Sequence, residues 1–346
     1  MSASPIIQTL PLGAQWPCID PFLFCAHHND AYPAGDGRMG VQAVELEDRP
    51  MGSDFSGKDG FNMYHGDHVP GFPGHPHRGF ETVTLVRKGL IDHADSLGAA
   101  ARFGGGDVQW VTAGAGIMHS EMFPLLHTDQ PNPLELFQIW LNLPASHKMV
   151  QPHFTMLWNE RIPRLHHTDE GGKQTTVTVI AGQLAGADAP LAPPPESWAS
   201  QDGADLAIWT ISLEPGARWT MPAAKGAETR RMLYWFVGNR LQLEGQDLSA
   251  HAALQVEAGR DLTLVNTGVQ TAELVLLQGK PIREQVAQYG PFVMNTQEEI
   301  MQAMMDFRRT QFGGWPWDSN APVHGSEPRR FARHPGQTAD EVPAAA

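Results

Sequence analysis

Short runs rich in β-branched and aromatic residues recur along most of the chain, at 82–86, 108–112, 136–143, 175–180 and 206–213, each closed by Gly, Pro, Asp or Asn. Runs of this length and punctuation predict the strands of barrels or sandwiches. In ELFQIWLNLP, Phe137, Ile139, Leu141 and Leu143 alternate with Gln138, Trp140 and Asn142, so one face is apolar and the other, carrying amides and an indole, could line a pocket. Helical periodicity is convincing after Thr296, where Thr296 and Glu299 stand at capping-box spacing and Ile300, Met304 and Phe307 mark one face. The stretch 28–61 is dense in Gly, Pro and Asp and predicts a long loop or lid.

At 346 residues the chain is long enough for about two domains. The irregular stretch 163–173 predicts the boundary, giving an N-terminal domain over 1–165 and a second over 175–310 that ends with the helix. A Pro-rich excursion at 186–204 lies inside the second, and the tail 311–346 is expected to be irregular or disordered. Aligning GGGDVQWVTAG (104–114) with AGRDLTLVNTG (258–268) matches Gly105 with Gly259, Asp107 with Asp261, Val111 with Val265 and Gly114 with Gly268, which suggests a duplicated β-domain.

A net charge of −14 disfavours autonomous binding to nucleic acid or anionic membranes. Thirty-five Gly and 28 Pro suit an all-β fold better than long helices. Cys18 and Cys25 provide neither a disulfide framework nor a flanking base for a nucleophile, and they fit a reducing compartment. With no signal-like start and no stretch approaching 18 apolar residues, the expectation is a soluble, cytoplasmic monomer.

The chemistry concentrates in the histidines. HPHRGFET supplies His75 and His77, and IMHSEMF supplies His119 and Glu121, each pair two residues apart and so on one face of a strand. Any one histidine alone reads as a surface or satisfied core residue, but two such pairs on neighbouring strands would converge three imidazoles and a carboxylate on one point. That donor set suits one borderline divalent metal, iron first, with nickel, copper, manganese and zinc as alternatives. Counting fourteen and twelve residues back from Gly89 reaches His75 and His77, and the same counts from Gly238 reach Ala224 and Gly226. One live and one vestigial metal site follows from the contrast. His65 and His68, which could form an extra metal pair or gate the site, read on their Gly/Pro loop as solvated; His27 and His28 sit beside the long loop where they could face the pocket mouth, His166 and His167 read as linker surface, and His93 as a structural hydrogen-bonder. Phe80, Phe123 and Trp110 are read as barrel core.

HPHRGFETVTLV, the DSLG at 95–98, GGGDVQWVTAGAGIMHSEMF, WLNLPASHKM and YGPFVMNTQEEI, in that order, resemble the pirin family of the cupin superfamily. The resemblance runs from about Asp20 to about Phe307 and implies two cupin-type jelly-roll barrels in tandem with a C-terminal helix. It also implies that only the N-terminal barrel holds a metal, usually iron, on His75, His77, His119 and Glu121. The general cupin pattern HxHxxxE would instead make Glu81 the carboxylate ligand. The HSE context favours Glu121, leaving Glu81 either as a nearby base or as a strand carboxylate bonded to Arg78 or to backbone.

The implied activity is that of a quercetin 2,3-dioxygenase, acting on a small flavonol-like aromatic with dioxygen, with Glu121 able to take the substrate proton. The rival is an iron-dependent redox sensor that binds a protein partner and turns nothing over.

Overall fold

The computed structural model describes residues 4–248 and 250–344. Along the first half run β1 (Ile6–Pro11), β2 (Phe22–Tyr32), β3 (Gly71–His77), β4 (Phe80–Lys88), β5 (Leu90–Asp95), β6 (Ala100–Gly104), β7 (Val108–Thr112), β8 (Ile117–Met122), β9 (Asn132–Asn142) and β10 (His153–Leu157). The second half adds β11 (Arg164–Thr168), β12 (Gln174–Ala181), β13 (Ala207–Leu213), β14 (Arg218–Met221), β15 (Arg230–Val237), β16 (Leu241–Leu243), β17 (Gln246–Leu248), β18 (Ala252–Val256), β19 (Leu262–Val265) and β20 (Ala272–Gly279). The hairpin β21 (Ala287–Tyr289) and β22 (Phe292–Met294) leads into α1 (Gln297–Thr310), and β23 (Phe331–Arg333) lies near the C-terminus.

These elements form two β-units that are not continuous in sequence. The first unit takes His27–Ile139, Leu143–Glu160 and everything from Glu284 onward; the second takes Arg161–Arg283, Trp140–Asn142 and the segment up to Ala26. The 1–165 and 175–310 division of the sequence therefore exchanges pieces at both ends. β1 leaves the N-terminal barrel because its backbone pairs with β18, Thr9 opposite Leu254. The hairpin and α1 leave the second, because Arg78 in the first unit bonds Asp306 at 2.9 Å and covers the ring of Phe312 at 4.6 Å.

Each unit is an antiparallel jelly roll of two facing sheets, and the two share one topology. The first has β10-β7-β4-β9-β2 and β23-β6-β5-β8-β3; the second has β1-β18-β15-β20-β13 extended by β12 and β11, and β14-β19-β16-β17. β7, β4, β9 and β2 thus take the places of β18, β15, β20 and β13, which makes the duplication structural. The eleven-residue alignment that suggested it is one strand out of step, since it sets β7 against β19, whereas topology sets β8 there. A short amphipathic strand after a Gly-rich turn is a local pattern that repeats within one barrel as readily as between two. Gly89 and Gly238, by contrast, close the equivalent strands β4 and β15, both at positive φ (77° and 107°).

Helix α1 has its expected capping box: Thr296 Oγ1 accepts from the Glu299 amide at 3.2 Å, and Glu299 Oε2 accepts from the Thr296 amide at 3.0 Å. Ile300 and Ala303 are buried in a small cluster with Phe292 and Met294 from the hairpin, with Met304 and Phe307 against it. The expected 28–61 loop starts later, because β2 runs through His28 to Tyr32. Beyond it, Arg49 is buried against Asp54 at 3.0 Å and lies over the Phe61 ring at 3.7 Å, holding the loop to itself.

The tail corrects the expectation of disorder. It is largely irregular, but β23 pairs with β6, Phe331 opposite Arg102, and Trp158 Nε1 donates to Glu341 at 2.6 Å. Arg102 is fully buried; it grips Asp92 through two bonds of 2.6 Å and donates to the carbonyls of Gly325 and Glu327. The tail's composition misleads because its anchors are residues of the barrel. Replacing Asp92 with Ala should strand the buried guanidinium and lower the unfolding free energy by about 3–5 kcal/mol. Chemical denaturation checks this; a loss below about 1 kcal/mol, the worth of a solvated surface pair, would contradict it.

Candidate metal centre

β3 and β8 lie antiparallel with His75 directly opposite His119. The two-residue spacing of His75 and His77 puts both rings on the side of β3 that faces His119. The ring centroids are 4.8 Å apart for His75–His77, 4.5 Å for His75–His119 and 4.8 Å for His77–His119. One nitrogen from each ring lies within 4.8 Å of the others, and among the described residues this is the group of three or more His, Cys, Asp or Glu that could hold a metal.

The register slips between Phe72 and His75, and the slip has a use. The Pro73 carbonyl turns to accept from His75 Nδ1 at 2.9 Å, which fixes that proton and leaves Nε2 as the free lone pair. His77 and His119 are buried, and neither ring nitrogen of His119 has a hydrogen-bond partner among the described residues. A buried imidazole without a partner is costly unless a bound group satisfies it. Burial drives His77 and His119 well below the usual imidazole range and lowers His75 as well, so the three stand neutral at pH 7, the form in which imidazole ligates. The residues present therefore fit a borderline divalent ion.

Glu121 lies two residues beyond His119 on β8, also buried. Its carboxylate is not within the nitrogen cluster: Oε1 accepts from Thr84 Oγ1 at 3.1 Å and Oε2 from Gln138 Nε2 at 2.9 Å. Glu81 is not brought to the group. Thr84, which touches Glu121, and Val86, in the barrel core, share one face of β4; Glu81 is on the other, where it accepts from Thr112 Oγ1 at 2.7 Å. The general cupin spacing misleads here because it fixes a count of residues and not the face of the strand.

His93 is fully buried and bonds Asp95 Oδ2 at 3.2 Å, a structural role as expected, with its ring 5.5 Å from His119. His65 bonds the Gly52 carbonyl and His68 the Asp36 carboxylate, each at 2.7 Å, and both stand at the rim of a cavity of about 720 Å³ that opens onto His75. His27 bonds Glu135, and His166 and His167 lie on β11. Burial raises the Cys18 thiol to about 11, away from nucleophile chemistry.

Two features escaped the sequence. Gln138 was legible as a pocket-facing amide, but its partner Glu121 was not. The other is a chain in which Tyr64 donates its hydroxyl proton to Asp30 Oδ2 at 2.7 Å and accepts from His28 Nδ1 at 2.7 Å. No spacing links residues that far apart.

Among the described residues the second unit has no comparable set. In β14 and β19, the strands equivalent to β3 and β8, the buried residues are Trp219, Met221, Leu262 and Leu264, which join its apolar core. The vestigial second site is thus a filled barrel.

Residues 8–141 match the Pirin family, and residues 208–313 match the pirin C-terminal cupin domain. Human pirin is 35% identical over 257 residues, covering 73% of this chain and 81% of pirin. The chain belongs to the pirin family. A Pseudomonas aeruginosa relative bearing the name "putative quercetin 2,3-dioxygenase" is 35% identical over 244 residues, 69% of this chain and 78% of its own. A crystal structure of quercetin 2,3-dioxygenase from Acinetobacter baumannii superposes with a TM-score of 0.65 at 25% identity, covering 91% of this chain and 98% of that one. The all-β, two-cupin architecture with a C-terminal helix accords with this membership. Among the described residues no helix is long and apolar enough to cross a membrane.

His28 offers a pH test away from the histidine cluster. Burial, with a smaller push from His27, lowers it from 6.5 to about 4, so between those values the unfolded chain binds a proton that the folded chain refuses. Stability should therefore fall as pH drops from 6.5 towards 4, by on the order of 2–3 kcal/mol from this group. In urea titrations of metal-free protein, His28→Asn should flatten the slope relative to wild type; equal slopes would contradict the assignment.

Proposed function

We propose that this member of the pirin family is a metal-dependent cupin oxygenase that opens the heterocycle of a flavonol or a similar enolic aromatic, in the manner of quercetin 2,3-dioxygenase. The observation that carries the reading is the triad of neutral imidazoles, two of them buried, with the nitrogens of His119 lacking any partner among the described residues. The name of the Pseudomonas aeruginosa relative and the Acinetobacter baumannii structure support the substrate class.

His75, His77 and His119 would hold the ion, iron in this reading. A bound divalent iron would supply Lewis acidity towards a substrate enolate oxygen and redox chemistry with dioxygen. In the overall reaction both atoms of dioxygen enter the products and one ring carbon leaves as carbon monoxide. The chain's own part is acid–base and positional. Glu121 takes the proton of the substrate's hydroxyl on a carboxylate oxygen, and the donors Thr84 Oγ1 and Gln138 Nε2 fix the plane of that carboxylate.

Oxygen uptake by ferrous-loaded protein on adding quercetin tests the reading, with His119→Ala as control. Turnover that disappears in the control supports it; one bound ion without uptake overturns the flavonol assignment and favours a redox-sensing partner. Glu121→Gln should retain the metal and lose about 10²-fold or more in kcat. Full turnover in that variant would remove the proton-acceptor role.

A further inference from the structure

The cavity beside His75 has a wall that lies outside the matched pirin domains. The C-terminal cupin match ends at residue 313, yet the segment beyond it returns to the N-terminal barrel and lines that cavity with Ser319, Asn320, Ala321 and Val323. His65, His68, Pro73 and His75 are among the barrel-side residues that line it. Of the three imidazoles, His75 alone is not fully buried, so this cavity is where solvent meets the cluster.

The segment is tied down on both sides of the crossing. Upstream, the Trp317 indole donates to the Asp95 carbonyl at 2.8 Å. At the crossing, the Gly74 amide donates to the Asn320 carbonyl at 2.7 Å, within the very strand that carries His75 and His77. Downstream, His324 Nε2 donates to the His93 carbonyl at 2.7 Å and the His324 amide donates to Asp92 Oδ2 at 2.8 Å. The fit at Gly74 is tight: a Cβ there would stand 2.6 Å from Asn320 Oδ1 and 3.4 Å from the Trp315 ring. Any larger side chain at Gly74 would have to push the Asn320 side chain aside where the strap lies on β3.

We propose that residues 315–324 form a strap that serves as one wall of the active site and controls the access of small molecules to His75. The anchors use Asp92, His93 and Asp95, all on β5, which pairs directly with β8, so the strap is held by the same sheet that positions His119. Ala321 is the residue through which wall size can be changed, because it lines the cavity and takes part in none of the anchoring bonds described. The proposal takes from the oxygenase reading only that the histidine cluster is the working site. Its test uses neither metal nor flavonol, so the two can fail separately.

The test is carbethoxylation of metal-free, full-length protein by diethyl pyrocarbonate, followed residue by residue by peptide mass spectrometry, with exposed His166 on β11 as internal reference. Trp317→Ala/His324→Ala, which removes two side-chain anchors, should speed modification of His75 by roughly tenfold to thirtyfold. Ala321→Trp, which fills the cavity without touching an anchor, should slow it severalfold, and His166 should react equally in all three proteins. Unchanged His75 rates in folded Ala321→Trp would overturn the proposal, even if the double variant failed to fold. Equal acceleration of His75 and His166 in the double variant would likewise overturn it, because that is general loosening and not the opening of one wall.

Discussion

The pairing of β3 with β8, His75 opposite His119, is the constraint on which the rest of the molecule depends. A shift of one residue would turn every ligand to the other face. The slip at Pro73 and Gly74, the packing of β8 between β5 and β3, and the strap across Gly74 all act on this one pairing. The cost of burying three imidazoles is thereby imposed by the fold, and an ion is the partner that the donor set suits.

The two units show what the same topology does with different side chains. In the second, Trp219, Met221, Leu262 and Leu264 fill the space between the sheets as part of a largely apolar core. In the first, apolar packing by Val86, Ile91, Phe103, Val111 and Leu136 supports one part of the barrel, and a polar network of His119, Glu121, Thr84 and Gln138 occupies another. Such a network is stabilising only when its members are satisfied. Glu121 is satisfied by protein donors, whereas neither ring nitrogen of His119 has a partner among the described residues.

Much of this was legible because it is local. The period-two pattern in 136–143 pointed Gln138 inward, the two-residue spacing put His75 with His77 and His119 with Glu121, and Thr296 with Glu299 announced the helix start. What was not legible depends on partners distant in sequence. That Glu81 points away from the cluster is a matter of strand face, which HxHxxxE does not encode. The tail looks disordered by composition because the residues that order it, Asp92, Arg102 and Trp158, belong to the barrel. The duplication was visible, but its register was not, since short strands after Gly-rich turns resemble one another wherever they occur.

The central claim is that β3 and β8 build one three-imidazole metal centre. X-ray absorption at the metal edge, on protein loaded with ferrous iron and dialysed to constant metal content, tests it most directly. The account predicts one ion per chain with three imidazole nitrogens bound, and loss of that signature when His75, His77 and His119 are replaced together by Ala. Retention of one equivalent by the triple variant, or a wild-type spectrum without imidazole scattering, would contradict it.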